Sequence, residues 1–138
     1  MNPKTSPMTE VVLVDDDPLM RALLAEWLSE AGHRVRQCAN GEEALQMLHT
    51  EPAALLITDM DMPGRDGAQL LREAHRLLPQ LAVIAISGGT RDGTRDWALT
   101  ALQLGAAKTL AKPFERRDLL SAVQQVLGQD PSRTTAHD

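Results

Sequence analysis

A chain of 138 residues, 43% hydrophobic and 24% charged, is long enough for one domain with a buried core and does not have the composition of a disordered chain. Lysine and arginine (14) are outnumbered by aspartate and glutamate (19), for a net charge of −5, and aromatic side chains reach only 2%. That balance argues against a broad phosphate-binding surface and against a base-stacking platform, so no direct nucleic-acid partner is expected.

Residues 1–9 carry two prolines and little that can pack, and are expected to be a flexible N-terminal segment. The first strand falls at Val11 to Val14, short, β-branched and uniformly apolar, as a strand buried on both faces should be. Asp17 and Pro18 then read as a helix cap followed by proline at the first helical position. Leu19, Leu23, Leu24, Trp27 and Leu28 are expected to form its inward stripe, closed by Gly32. A weaker strand, Arg34 to Gln37, precedes a helix opened by Asn40 and Glu43 as a capping box. Ala54 to Thr58 is the third strand. The helix after it opens at a second box, Asp66 to Gln69, and stops at Pro79. Leu81 to Ile86 is the fourth strand, with a helix over about Thr94 to Leu104 ending at Gly105. The last strand, Ala107 to Leu110, is followed by a helix over Glu115 to Leu127 that turns Leu119, Leu120, Val123, Val126 and Leu127 inward, with Gly128 after it. Residues 129–138 are polar and proline-broken, a flexible C-terminal tail.

Strict alternation of strand and helix requires crossover helices and therefore parallel strands. The expected fold is α/β: a (βα)5 doubly wound, five-stranded parallel sheet in the flavodoxin-like order 2-1-3-4-5, with helices on both faces and one domain over residues 10–128. Cys38 is the single cysteine, which rules out an intrachain disulfide and makes a reducing compartment the default. No apolar run approaches the ~18 residues of a membrane span, and the first ten residues lack a secretory signal. A cytoplasmic protein with no membrane partner is expected.

Ligands in such sheets sit at the carboxyl ends of the strands near the switch point. Here the first strand ends in Asp15, Asp16 and Asp17, the third in Asp59 and Asp61, the fourth in Ser87, and the fifth is followed by Lys112. Any one of these reads as a cap or turn residue; the set falls on one side of the sheet. Convergent carboxylates repel unless a cation is present, and Mg2+ suits one or two carboxylates plus a phosphate group. His33, His49, His75 and His137 are scattered singly and expected on the surface, so zinc is not suggested. A carboxylate nucleophile beside a metal and a lysine points to phosphoryl chemistry.

Asp15 and Asp16, Thr58 and Asp59 followed by Met62, Pro63 and Gly64, then Ser87, then Lys112, Pro113 and Phe114 resemble the receiver domain of two-component response regulators. The resemblance spans about residues 10–128 and includes the stretch Asn40 to Leu45. It implies that Asp59 accepts a phosphoryl group from a sensor histidine kinase or a phosphotransfer protein, and that the domain is a signalling switch, not an enzyme, read by a downstream output protein. It further implies Mg2+ held by Asp15, Asp16, Asp59 and the backbone carbonyl of Asp61, with Ser87 as switch hydroxyl. Lys112 is implied as the phosphoryl-binding lysine, with a cis bond to Pro113. Asp17 is expected only to cap its helix.

The sequence departs from that pattern at three places. Thr109 stands where the family often has a tyrosine or phenylalanine, Gly88 and Gly89 follow Ser87, and Ala107 and Lys108 replace acidic residues common in DNA-binding regulators. A monomer or weak dimer is therefore expected. The enzymatic alternative is a haloacid-dehalogenase-like Mg2+-dependent phosphatase, with Asp59 and Asp61 as its DxD pair. In that family the DxD pair lies on the first strand and the extra acidic pair comes late, the reverse of the order here. A receiver domain cut from a longer regulator is a further alternative.

Overall fold

Val11, Val12, Leu13 and Val14 have no exposed surface, and neither do Leu55, Leu56 and Ile57. In a computed structural model, which describes residues 9–61, 67–88 and 97–128 with the exception of the Trp97 side chain, these runs lie in two of the three interior strands of a parallel sheet. The strands are β1 (Glu10–Val14), β2 (Arg34–Cys38), β3 (Leu55–Asp59), β4 (Ala82–Ser87) and β5 (Lys108–Ala111). Their order is β2-β1-β3-β4-β5, as the alternation predicts. Helices α1 (Pro18–Glu30), α2 (Gly41–Thr50), α3 (Gly67–Leu77), α4 (Trp97–Gln103) and α5 (Arg116–Leu127) connect or follow them. Met62, Pro63, Gly64, Asp66, Gly89, Thr94 and both chain ends, including His137, lie outside the described residues.

The period-2 alternation of strand side chains divides the core into two layers. Val11, Leu13, Leu55, Ile57, Ile84 and Ile86 pack with Leu24 and Leu28 of α1 and Leu119 and Val123 of α5. Val12, Val14, Leu56, Val83 and Ala85 face the other way, onto Leu48 of α2, Leu70 and Leu71 of α3 and Ala101 of α4. Truncating any of the fully buried leucines to alanine would cost about 2–5 kcal/mol.

The stripe expected on α1 needs correction. Leu19 is 82% exposed and Leu23 41% exposed. Met20, half-buried against the core, takes the first inward turn instead. Met20, Leu24, Trp27 and Leu28 form the i, i+4, i+7, i+8 series, and Leu19 and Leu23 each sit one residue, roughly 100°, off it.

The caps follow the sequence with small shifts. Asp17 accepts from the amides of Leu19 (3.0 Å) and Met20 (3.5 Å), which opens α1 at Pro18. Asn40 Oδ1 accepts from the Glu43 amide at 2.9 Å, but Glu43 reaches past Asn40 to the Ala39 amide at 2.8 Å. At α5 the Asp118 carboxylate accepts from the Glu115 amide at 2.8 Å. Leu120 and Leu127 are only partly buried there, and Ala122 takes a core position beside Leu119, Val123 and Val126.

His75 is not a simple surface residue. Its ring nitrogens lie 3.2 Å from the Leu104 carbonyl oxygen and 3.1 Å from that of Leu81, so the ring sits between the end of α4 and the entry to β4, and whichever nitrogen carries the proton donates to its carbonyl. Gly105 makes this possible: its φ is +106°, and a Cβ there would lie 2.9 Å from His75 Cε1. His33 also departs from expectation. It is half-buried, its Nδ1 is without a hydrogen-bond partner among the described residues, and burial lowers its pKa.

Candidate functional site

Four parallel strands stop at the same edge of the sheet, and the residues at or just after their ends carry the chemistry. The register pairs Val14 with Thr58, Asp59 with Ile86, and Ser87 with Ala111. Asp15 therefore leaves β1 beside the end of β3, and Lys112 leaves β5 beside Ser87, whose carbonyl accepts the Lys112 amide at 2.8 Å. The peptide bond from Lys112 to Pro113 is cis, as the resemblance implies.

Carboxylate oxygens of Asp15, Asp16 and Asp59 lie within 4.8 Å of one another. Asp15 and Asp59 are buried, Asp16 exposed. Lys112 donates from Nζ to Asp59 Oδ2 at 3.1 Å, and the Asp61 amide donates to Asp59 Oδ1 at 2.9 Å. Both oxygens of Asp59 are thus held, one by a cation and one by the backbone that follows it. The Asp61 side chain is exposed, and Asp61 enters the site through its main chain. Ser87 is 7% exposed at the end of β4. Gly88 beside it leaves a gap in which an added Cβ would still be 3.7 Å from Asp61 Oδ2.

The electrostatics are those of an acidic site short of positive charge. Burial pushes the Asp59 carboxyl above its ordinary pKa; the Asp61 amide and Lys112 pull it down without cancelling that, and Asp16 adds repulsion. Asp15 is also raised, first by burial, while the Asp17 amide opposes the shift and Asp59 adds to it. Burial works against the ammonium of Lys112, but Asp59, Asp15 and Asp16 outweigh it and raise its pKa. Asp15 Oδ2 is buried with no hydrogen-bond partner among the described residues. An orphaned carboxylate oxygen in a three-carboxylate cluster fits a hard divalent cation with oxygen ligands.

Thr109 sits apart from this cluster. It pairs with Ala85 along β5 and lines a shallow recess with Phe114, Ser121 and Gln125. Asp17 caps α1, as expected, and its amide also bonds Asp15 Oδ1 at 2.9 Å.

Two contributors were not singled out by the sequence reading. Gly67, the first residue of α3, packs so closely under the site that a Cβ would lie 2.7 Å from Met60 Cα and 3.1 Å from the Asp59 carbonyl oxygen. Arg21 donates from Nη1 to the Asp15 carbonyl at 2.7 Å. A cation one helical turn after a capping aspartate is a faint signal. Nothing in the spacing says that it turns back to the preceding loop.

The sequence profile of the response regulator receiver domain matches residues 11–124. The chain belongs to the response regulator receiver family. This receiver domain is 36% identical over 125 residues to the response regulator receiver protein CpdR of Brucella abortus, covering 87% of this chain and 98% of that protein. It is 41% identical over 123 residues to the response regulator protein FleR of Pseudomonas aeruginosa, covering 88% of this chain but only 25% of FleR. The crystal structure of a CheY-like receiver domain protein from Methanospirillum hungatei superposes with a TM-score of 0.81 at 27% identity, covering 89% of this chain and 96% of that one. The receiver domain thus spans nearly all of one relative and a quarter of another. Receiver domains of two-component systems are signalling switches that generally bind Mg2+, and the acidic cluster is consistent with that.

Proposed function

We propose that this receiver domain takes a phosphoryl group onto Asp59 in a Mg2+-dependent reaction and transmits that state to an output partner. The observation that carries the reading is the position of Asp59: buried, bonded to Lys112 at 3.1 Å, and sharing a three-carboxylate cluster with Asp15 and Asp16. A carboxylate oxygen of Asp59 attacks phosphorus. A P–O bond forms as the P–N bond to the histidine of a kinase or phosphotransfer protein breaks, and the departing imidazole takes up the electron pair. Lys112 holds the carboxylate in place and supplies positive charge toward the phosphoryl oxygens.

Asp15, Asp16 and Asp59, with the carbonyl of Asp61, are the residues that would hold Mg2+. When bound, it supplies positive charge to the carboxylates and to the incoming phosphoryl oxygens. Ser87, at the end of β4, is the hydroxyl proposed to bond the phosphorylated form. Residues 10–128 are the working unit of this reading, a monomer or weak dimer acting in the cytoplasm. Among the described residues no helix is long and apolar enough to cross a membrane.

The test is incubation with a small acyl phosphate and Mg2+, followed by intact-mass measurement. One phosphoryl group should be gained by the wild type and none by Asp59→Asn. Repeated turnover of an aryl phosphate would favour the phosphatase reading instead; uptake by Asp59→Asn at the wild-type rate would overturn the assignment of the acceptor.

A further inference from the structure

Asp15 has four polar atoms, and three of them have partners in the fold. Its amide donates to the Cys38 carbonyl at 3.2 Å, its Oδ1 accepts from the Asp17 amide at 2.9 Å, and its carbonyl accepts from Arg21 Nη1 at 2.7 Å. Among the described residues only Oδ2 is left without a hydrogen-bond partner, and it is buried. The carbonyl of Asp15 and the amide of Asp16 belong to one planar peptide group. Whatever grips that carbonyl therefore also sets the direction in which Asp16 leaves β1. Arg21 is the side chain that grips it, from the second turn of α1 and half-buried.

We infer that Arg21 is a positioning residue for the divalent-cation site. It holds the peptide between Asp15 and Asp16 so that a buried and an exposed carboxylate meet Asp59 before the cation arrives. This rests on the reading of the acidic cluster as a Mg2+ site. The role is geometric. Arg21 bonds the main chain of Asp15, whereas the Asp15 carboxylate takes its hydrogen bond from the Asp17 amide. Repelling carboxylates splay apart unless their backbone is held, and orienting partners of metal ligands typically contribute 10–100-fold in affinity.

The experiment is calorimetric titration of the full chain with MgCl2, alongside thermal unfolding without metal. Arg21→Met keeps the aliphatic stem and removes the donor; Arg21→Lys keeps one donor on a shorter reach. Arg21→Met should weaken Mg2+ binding by about tenfold, with Arg21→Lys recovering most of the loss. The Mg2+ concentration for half-maximal phosphoryl uptake should rise by the same factor.

A lowered melting temperature with unchanged Mg2+ affinity would show a merely structural role and overturn the inference. Should Arg21→Met not fold, Arg21→Lys decides alone: a Kd a few-fold above wild type supports the inference, and an unchanged Kd overturns it. If the wild type itself binds no Mg2+, it is the metal-site reading that fails, and the wild-type titration shows this separately.

Discussion

Lys112 and Asp59 are 53 residues apart in sequence and 3.1 Å apart in space, as the ammonium of one donates to Oδ2 of the other. Two parallel crossovers bring them together, since Asp59 ends β3 and Lys112 follows β5, with β4 between. The carboxylate is the buried partner: its side chain is 4% exposed against 26% for the lysine. Asp59 depends on Lys112 more than the reverse.

Lys112→Ala is therefore expected to slow phosphoryl uptake by on the order of 10²-fold, the typical loss when one charge-stabilising donor is removed. It should also lower stability at pH 7.5 by roughly 1–2 kcal/mol, less than a fully buried broken pair because the lysine is part-exposed. Single-turnover phosphorylation and thermal unfolding measure the two effects. Uptake at the wild-type rate would remove Lys112 from the reaction.

Asp15 carries a stability penalty that the metal should relieve. Its pKa is raised in the folded state, mainly by burial. Folding thus favours the protonated form, a contribution fully present below the ordinary carboxylate pKa and lost as pH rises through the raised value. At pH 7.5 the metal-free protein holds an ionised carboxylate at a cost. Asp15→Asn should raise its melting temperature by roughly 4 °C, or about 1 kcal/mol, and abolish the rise caused by millimolar Mg2+. The gain should shrink toward about pH 4, because the raised pKa lets the wild-type carboxyl take up a proton as pH falls. Unfolding scans at both pH values, with and without metal, check the sign.

Gly67 ties the start of α3 to the acceptor strand. A Cβ placed 2.7 Å from Met60 Cα meets backbone, not the yielding end of a side chain, so β3 or α3 must shift. Gly67→Ala should cost roughly 1–3 kcal/mol as an overpacked site. Because Met60 follows Asp59 directly, phosphoryl uptake should fall as well, even at temperatures where the variant is fully folded. Leu48→Ala, at a buried α2 position, is the control: it should lose stability and keep its uptake rate.

Thr109 is too small to carry a signal by turning its side chain, since a hydroxyl and a methyl displace far less volume than a ring. Any switch should act through Ser87 and the backbone after it, where Gly88 can absorb a change of dihedral angles. Beryllofluoride with Mg2+ should then slow hydrogen exchange most between residues 87 and 99, with little change at 108–110. It should also change the fluorescence of Trp97, an effect retained in Trp27→Phe and lost in Trp97→Phe. Protection concentrated at 108–110 would show that β5 carries the switch.

Local pattern determined much of this protein. Uniformly apolar runs such as Val11–Val14 can be stable only between two covered faces, and strand–helix alternation leaves parallel order as the way to bury them. The same pattern predicts the strand ends, and with them Asp15, Asp59, Ser87 and Lys112. Strand ends in a parallel sheet share one edge whatever the details of packing, which is why the acidic site was legible without coordinates. Tertiary structure alone decided the rest. That Met20 and not Leu19 turns inward depends on how α1 lies across the sheet, and helical spacing admits either. That Gly105 leaves room for the His75 ring and Gly67 for Met60 depends on distances between elements far apart in the chain. So does the bond from Arg21 back to the Asp15 carbonyl, because a backbone oxygen has no letter in the sequence and its partner is chosen only once the chain is folded.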